Sequence, residues 1–342
     1  MELISGLRGA SAKKLRALKK RAAREELGLA FIEGRRLVAD AMAVSGLVRE
    51  LYVSESFARS GAGAGVLGAA RAAGIEPALL ADSAFEGVAD TKTPQGVMAI
   101  IRAHPCPPGA LAPGLGGAFA PGQAGELAPG REGELAPGRG GFAGILVMDR
   151  VSDPGNAGTM IRTAEAAGFS GVAMSDGCVD LYSPKTLRAA MGSAFRVPVA
   201  TGVSLLDWLP ELKAGGFAIC AAAPGAGGSC FGEAYARAAA GDLALVIGSE
   251  AEGVREQVMA LCDCRVGVPM LGGAESLNAA VAAGVLMYEA LRRRSDAGRR
   301  KRDGGDVVYG SAGACRRVRD KAVPADAEFS ESAPENWRQG DS

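Results

Sequence analysis

The chain has 342 residues, a formal net charge of zero, 48% hydrophobic and only 5% aromatic residues, and 50 glycines. That length exceeds what one core usually organises, so two domains are expected, with cores built from Ala, Val, Leu and Ile. Whole-chain charge says nothing for or against nucleic acid, and no run of about 18 apolar residues marks a membrane span.

The N-terminal stretch carries Arg8, Lys13, Lys14, Arg16, Lys19, Lys20, Arg21 and Arg24 with no acid among them. It lacks the apolar segment of a signal peptide. A plain basic helix is one reading, and a surface for a polyphosphate partner is the other. Periodicity predicts helix over 13–27, strand over 30–33, helix over 35–44 and strand over 50–54. A Gly/Ala-rich helix to Ala73, a short helix over 85–89 and a strand over 96–102 complete a small α/β domain, residues 1–103. Within it, Gly63-Ala-Gly65-Val-Leu-Gly68 matches a dinucleotide pattern. It does not directly follow a strand, so it reads as accidental.

Residues 104–143 repeat a Leu/Phe-Ala-Pro-Gly unit every eight residues from Leu111. Pro and Gly at that density block helix and sheet, which predicts a flexible linker. Residues 144–294 then alternate apolar strands with helices, the pattern of a parallel sheet covered on both faces. Residues 295–342 open on a basic cluster and turn polar, which predicts a disordered tail.

The only histidine, His104, lies in a Pro-rich stretch. A Ser-His-Asp triad, a His general base and a His-ligated metal are therefore not expected, and the metal expectation is none. Seven cysteines at irregular spacing, with no Cys-x-x-Cys pair, argue against a disulfide framework or zinc site and for a reducing, cytoplasmic compartment.

Ligands of open parallel sheets bind at the carboxyl ends of strands. Three such loops are candidates. In Asp149 to Arg162, Pro154 and Gly155 set a turn, Asn156 sits near a helix start and Gly158 allows close backbone approach. An Asn cap with a solvated Arg162 explains this loop equally well. In the second loop, Gly248 and Gly253 flank Glu250. A strand-to-helix turn with acids at the helix start is the plainer account. The third runs from Val268 through Met270, Gly272 and Ser276 to Leu277 and Asn278, with Ser276 as the expected helix cap. Leu277, Val281, Val285, Tyr288 and Leu291 form a stripe at helical spacing and are expected in the core. Asn278, in the first turn, then needs a partner.

Together, Asn156-x-Gly158-x-x-x-Arg162, Ile247-Gly248-x-Glu250-x-x-Gly253 and Pro269-Met270-x-Gly272 through Ser276-Leu277-Asn278 resemble the three motifs of the SpoU (TrmH-like) branch of the SPOUT methyltransferases. Phe31-Ile-Glu-Gly34 and Thr93-Pro-Gln-Gly96-Val resemble that family's substrate-binding domain, which is similar to an RNA-binding ribosomal-protein fold. The resemblance covers about residues 5–103 and 144–294. It implies a C-terminal α/β trefoil-knot methyltransferase domain with a parallel sheet, a small N-terminal α/β RNA-binding domain and a homodimer. It further implies transfer of a methyl group from S-adenosylmethionine to a ribose 2′-hydroxyl of rRNA or tRNA. By resemblance, Asn156, Arg162, Glu250, Ser276 and Asn278 are the catalytic positions, and Gly248, Gly253, Val268, Met270 and Leu277 hold the cofactor. Arg8, Lys13, Lys14, Lys19, Lys20 and Arg21 would face RNA. One departure is Ala280, where a small hydroxyl residue is common. An inactive RNA-binding protein of the same fold and a nicotinamide-dependent oxidoreductase are the competing functions. The misplaced glycine motif argues against the second.

Overall fold

The computed structural model describes residues 3–4, 10–111, 143–225 and 228–302. Its N-terminal part runs β1 (Leu3–Ile4), α1 (Ala10–Ala17), α2 (Arg21–Leu27), β2 (Leu29–Glu33), α3 (Arg35–Met42), β3 (Val48–Ser54), α4 (Glu55–Ala58), α5 (Gly61–Ala72), β4 (Pro77–Leu80), α6 (Asp82–Val88) and β5 (Val97–Arg102). These strands form one mixed sheet in the order β1-β4-β3-β5-β2. Its two faces bury separate clusters, one around Ile32, Val53 and Ile101, the other around Phe31, Tyr52 and Ile100. That split is the period-two alternation of the strands written into packing. The expected single helix over 13–27 is two helices, broken by a turn at 18–20. The glycine pattern falls inside α5, where Gly63 lies against the Phe57 carbonyl.

The second part runs β6 (Gly144–Asp149), α7 (Pro154–Ala166), β7 (Gly171–Ser175), α8 (Pro184–Ala190), β8 (Val199–Val203), α9 (Leu205–Ala214), β9 (Ala218–Ala222), α10 (Glu233–Ala239), β10 (Leu243–Gly248), α11 (Glu256–Met259), β11 (Cys264–Val266) and α12 (Ala279–Arg302). Its six strands are all parallel, in the order β11-β9-β10-β6-β7-β8. The chain moves outward from β6 to β8, crosses back to β9, and inserts β10 between β9 and β6. The crevice at this reversal, beyond the carboxyl ends of β6 and β10, is where such sheets bind ligands. Strands β6 and β10 are buried along their whole lengths, as expected of a sheet covered on both faces.

Three sequence expectations are corrected. Cys220 and Cys264 are disulfide-bonded, although their separation of 44 residues carries no signal of it. The cause is register: they are directly opposed on β9 and β11, with Cα atoms 4.9 Å apart. The linker does not begin at 104. Cys106 donates its N–H to Val199, residues Pro108–Leu111 make a short 3₁₀ turn, and Leu111 is buried on the sheet against Gly171. Residues 112–142, with most of the repeat, lie outside the described residues. So does 303–342, whereas α12 continues past residue 294 to Arg302.

The third correction concerns α12. Its core face is Ala280, Ala283, Leu286, Met287 and Ala290. The expected stripe is on the wrong side: Val281 and Tyr288 are 53% and 49% exposed, and Leu277 is exposed too. Three alanines on that face let α12 lie close on α7 and α10, with Leu286 and Met287 filling the core between them. Among the described residues no helix is long and apolar enough to cross a membrane.

Candidate active site

The three candidate loops meet. Asn278 donates its side-chain amide to the Asn156 carbonyl oxygen at 2.9 Å, and Asn156 donates its own amide to Glu250 at 2.9 Å. The Ser152 backbone and hydroxyl approach the other Glu250 oxygen at 3.4 Å. Residues from after β6, after β10 and before α12 thus form one continuous polar chain.

Each position has a local cause. Helix α7 starts at Pro154, and Asp153 is its cap, accepting the Asn156 N–H at 2.7 Å. The Asp-Pro pair is a standard helix start, with proline set for the first turn. Asn156 is therefore not the cap, and its side chain is free to reach Glu250. Gly158 serves packing rather than a ligand: a Cβ there would lie 2.6 Å from the Thr186 carbonyl oxygen of α8.

After β10 the chain folds back on itself. Ser249 and Gly253 exchange both backbone hydrogen bonds, and Gly253 has φ +70. A Cβ on Gly248 would stand 1.9 Å from the Gly253 carbonyl carbon, so only glycine admits this reversal. Asp149, fully buried at the end of β6, fixes where the loop leaves. It accepts the Arg255 backbone N–H at 2.9 Å and its Nε at 2.8 Å. Asp149, Arg255, Ser152 and Asp153 were not singled out by the sequence reading. Of these, Asp153 carried a usable signal in the Asp-Pro step.

Helix α12 begins at Ala279, and its cap is Asn278, whose oxygen accepts the Ala280 and Val281 N–H groups at 2.9 and 3.3 Å. Ser276 lies before the helix and is exposed, so it is not the expected cap. Asn278 has both its partners, one for each end of its amide.

A cavity of about 540 Å³ opens beside this junction. Gly248, Glu250, Gly253, Val268, Met270, Ser276, Leu277 and Asn278 all line it, with apolar walls from Ile247 and Leu286. Its size and mixed lining suit a nucleoside-sized ligand. Glu250 is held below the ordinary carboxylate range. Burial acts to raise its pKa, but the Asn156 amide and backbone N–H groups near Ser152 and Asp153 outweigh that. The carboxylate is thus an anion at neutral pH, able to face a cationic or amino-bearing ligand. Among the described residues no cluster of three or more His, Cys, Asp or Glu side chains is placed to hold a metal.

Arg162 is not brought to the cavity. It lies two turns into α7, exposed, with no hydrogen bond or ion pair among the described residues. The basic N-terminal residues divide. Lys14 pairs with Glu50, Lys19 donates to the Ala89 carbonyl at 2.7 Å, and Arg21 pairs with Glu25 at 2.7 Å. Lys13 and Lys20 are exposed, and Arg8 lies outside the described residues.

Comparison with known proteins identifies the family. Residues 143–288 match the SpoU rRNA methylase family, and residues 10–99 match an MRM3-like substrate-binding domain. The chain is 32% identical over 295 residues to the 23S rRNA (guanosine(2553)-2′-O)-methyltransferase RlmP of Bacillus subtilis, covering 84% of this chain and 98% of that one. It is 36% identical over 156 residues to a 23S rRNA (uridine(2479)-2′-O)-methyltransferase of Streptomyces viridochromogenes, covering 45% of this chain and 53% of the relative. Among solved structures it superimposes on the AdoMet-bound rRNA methyltransferase of Sinorhizobium meliloti with TM-score 0.66 at 25% identity, covering 85% and 97% of the two chains. The SpoU methyltransferase AviRb of Streptomyces viridochromogenes with AdoMet gives 0.65 at 26%, covering 84% and 100%. The fold and site define an RNA methyltransferase with an appended substrate-binding domain. The chain belongs to the SpoU rRNA methylase family.

Proposed function

We propose that this protein methylates a ribose 2′-hydroxyl of large-subunit ribosomal RNA, with S-adenosylmethionine as donor. The observation that carries the reading is the Asn278–Asn156–Glu250 chain, which joins all three motifs beside the 540 Å³ cavity. Gly248, Gly253, Val268, Met270 and Leu277 would hold the donor, largely through backbone and apolar contacts. S-adenosylmethionine supplies an electrophilic methyl group, so alignment of the hydroxyl does much of the work left to the protein. Asn156, Glu250 and Asn278 fix the loops against one another, and Ser276, exposed at the cavity edge, orients the hydroxyl.

Arg162 acts on an RNA phosphate or on the developing alkoxide rather than as a base, because guanidinium is hard to deprotonate. Its distance from the cavity of its own chain is met by a homodimer in which α7 and α12 face a second copy. The exposed Val281, Tyr288 and Leu277 support that interface. The insertion of β10 between β6 and β9 supports a threaded, trefoil-knotted path through the loops at the site. The N-terminal domain contacts the RNA through Lys13, Lys20 and the exposed Arg35, Arg36 and Lys92 beside Gly34 and Gln95, the last accepting the Arg35 N–H at 2.9 Å. The cytoplasm is the compartment in which such RNA is met. The test is Arg162→Ala. It should leave S-adenosylmethionine binding intact by calorimetry and abolish methyl transfer to 23S rRNA, and unchanged turnover rules the role out. Ribose-methylation mapping of total RNA with and without the gene identifies the nucleotide.

A further inference from the structure

A second cavity, of about 400 Å³, lies between the N-terminal part and the carboxyl ends of β7 and β8. Its wall is built by Arg24 and Asp180, an ion pair whose side chains are 6% and 18% exposed, with Arg24 also donating to the Leu18 carbonyl at 2.7 Å. This buried pair fixes the two parts of the chain against each other, so the space between them has a defined shape. Asp176, Thr201 and Gly202 line it, and Arg21 stands at its mouth with a largely exposed side chain.

Sheet order sets the relation to the active site. The donor cavity lies beyond β10, β9 and β11, the second cavity beyond β7 and β8, and only β6 runs between them. Neighbouring strands are ~4.8 Å apart, so β10 and β7 are separated by roughly 10 Å. Arg150 stands on the ridge between, directly after β6. It is exposed, has φ +57, and its side chain lies beside Gly177 with no hydrogen bond or ion pair among the described residues. A left-handed conformation is costly for a residue with a Cβ, and here it is held by the Arg150 N–H donating to Ser175 Oγ at 3.0 Å. An unpaired guanidinium is thereby set between two cavities along one row of strand ends.

We propose that this cavity is a second RNA subsite. It takes the base of a nucleotide next in the chain to the one whose ribose is methylated, with Arg150 on the intervening phosphate. The inference rests on the RNA reading above and extends it to the flanking sequence. Single-stranded RNA is recognised by splaying bases onto planar side chains and hydrogen-bonding their edges. Arg21 offers such a plane, while the Asp176 carboxylate and Thr201 hydroxyl accept from base N–H groups. The carboxylates of Glu25, Asp176 and Asp180 in the lining disfavour a bound phosphate within, while Arg150 outside suits the phosphate of a base held there.

The experiment uses the full chain, an unmodified 23S rRNA transcript and filter binding, with S-adenosylmethionine affinity read by calorimetry. Thr201→Trp fills the cavity. RNA affinity should fall about tenfold, the worth of one stacked base, with donor affinity unchanged. Transcripts carrying 4-thiouridine should photocrosslink to the 174–182 peptide. Asp176→Ala, on the exposed side, leaves the cavity open and should erase the preference among transcripts that differ at the flanking nucleotide. RNA binding by Thr201→Trp equal to that of the unaltered protein, crosslinks confined elsewhere, or a preference retained by Asp176→Ala overturns the subsite. Binding is read without turnover, so failure of the unaltered protein to methylate counts against the proposed activity and not against this subsite.

Discussion

Asn278 donates to Asn156 at 2.9 Å across 122 residues of chain, and at its other end it caps α12. One side chain thus carries two jobs that substitution can separate. Asn278→Asp keeps the capping oxygen and loses the amide donor. Its thermal midpoint should stay near that of the unaltered protein while methyl transfer falls about tenfold, the scale of one lost hydrogen bond in a site. Asn278→Ala should lose both, with a further ~1 kcal/mol of stability from the missing cap. Equal melting of the two variants would show that the cap contributes nothing.

Glu250 gives a pH-dependent prediction with a definite sign. Its pKa is depressed below the ordinary 4.5. A group depressed on folding stabilises the native state above its unfolded value, and the contribution is lost as pH falls through the folded value. The stability difference between the unaltered protein and Glu250→Gln should therefore be constant from pH 6 to 9 and shrink only below about 4.5. Thermal melts across that range check it, and a difference that varies near neutrality contradicts the assignment.

These loops were legible in the sequence because each motif sits directly after or before an apolar run of recognisable period. What the motifs do not encode is direction. The α12 stripe at Leu277, Val281 and Tyr288 has sound helical spacing, yet spacing cannot say which face meets the core when the other face, Ala280, Ala283, Leu286, Met287 and Ala290, is apolar too. The Cys220–Cys264 pairing and the Asp149–Arg255 clamp are likewise products of strand order, since β9, β10 and β11 become neighbours of distant segments only in the folded sheet. Leu111 belongs to the first repeat unit by sequence but packs like a core residue, because the sheet offers it the bare backbone of Gly171.

The Asp149–Arg255 pair should be costly to break. Asp149 is fully buried, and its partner's side chain is 24% exposed. Removing one member of such a pair strands a charge, at about 3–5 kcal/mol. Arg255→Ala, which leaves the Asp149 carboxylate buried and unpaired, should lower stability in urea melts by that order. Arg255→Lys keeps the charge but loses the planar fork, so an intermediate loss is expected. Both should weaken S-adenosylmethionine binding measured by calorimetry, because the pair sets the exit of the Gly248–Gly253 reversal. Unchanged donor affinity in the lysine variant would confine the pair to stability.

The outward face of α12 separates a dimer contact from a merely exposed patch. Val281 and Tyr288 lie one helical face away from the alanines that contact α7 and α10, so changing them leaves the core of the chain untouched. Surface substitutions of that kind usually alter monomer stability by no more than about 0.5 kcal/mol. If the face is a two-fold interface, each substitution enters twice, since an isologous contact uses the same patch on both copies. Val281→Asp with Tyr288→Asp should therefore convert a dimer to a monomer in light scattering. Methyl transfer should fall with it, because Arg162 on α7 then has no second cavity to reach, whereas donor binding at the chain's own cavity should persist more than activity does. A protein that stays dimeric with both aspartates present places the contact on another surface.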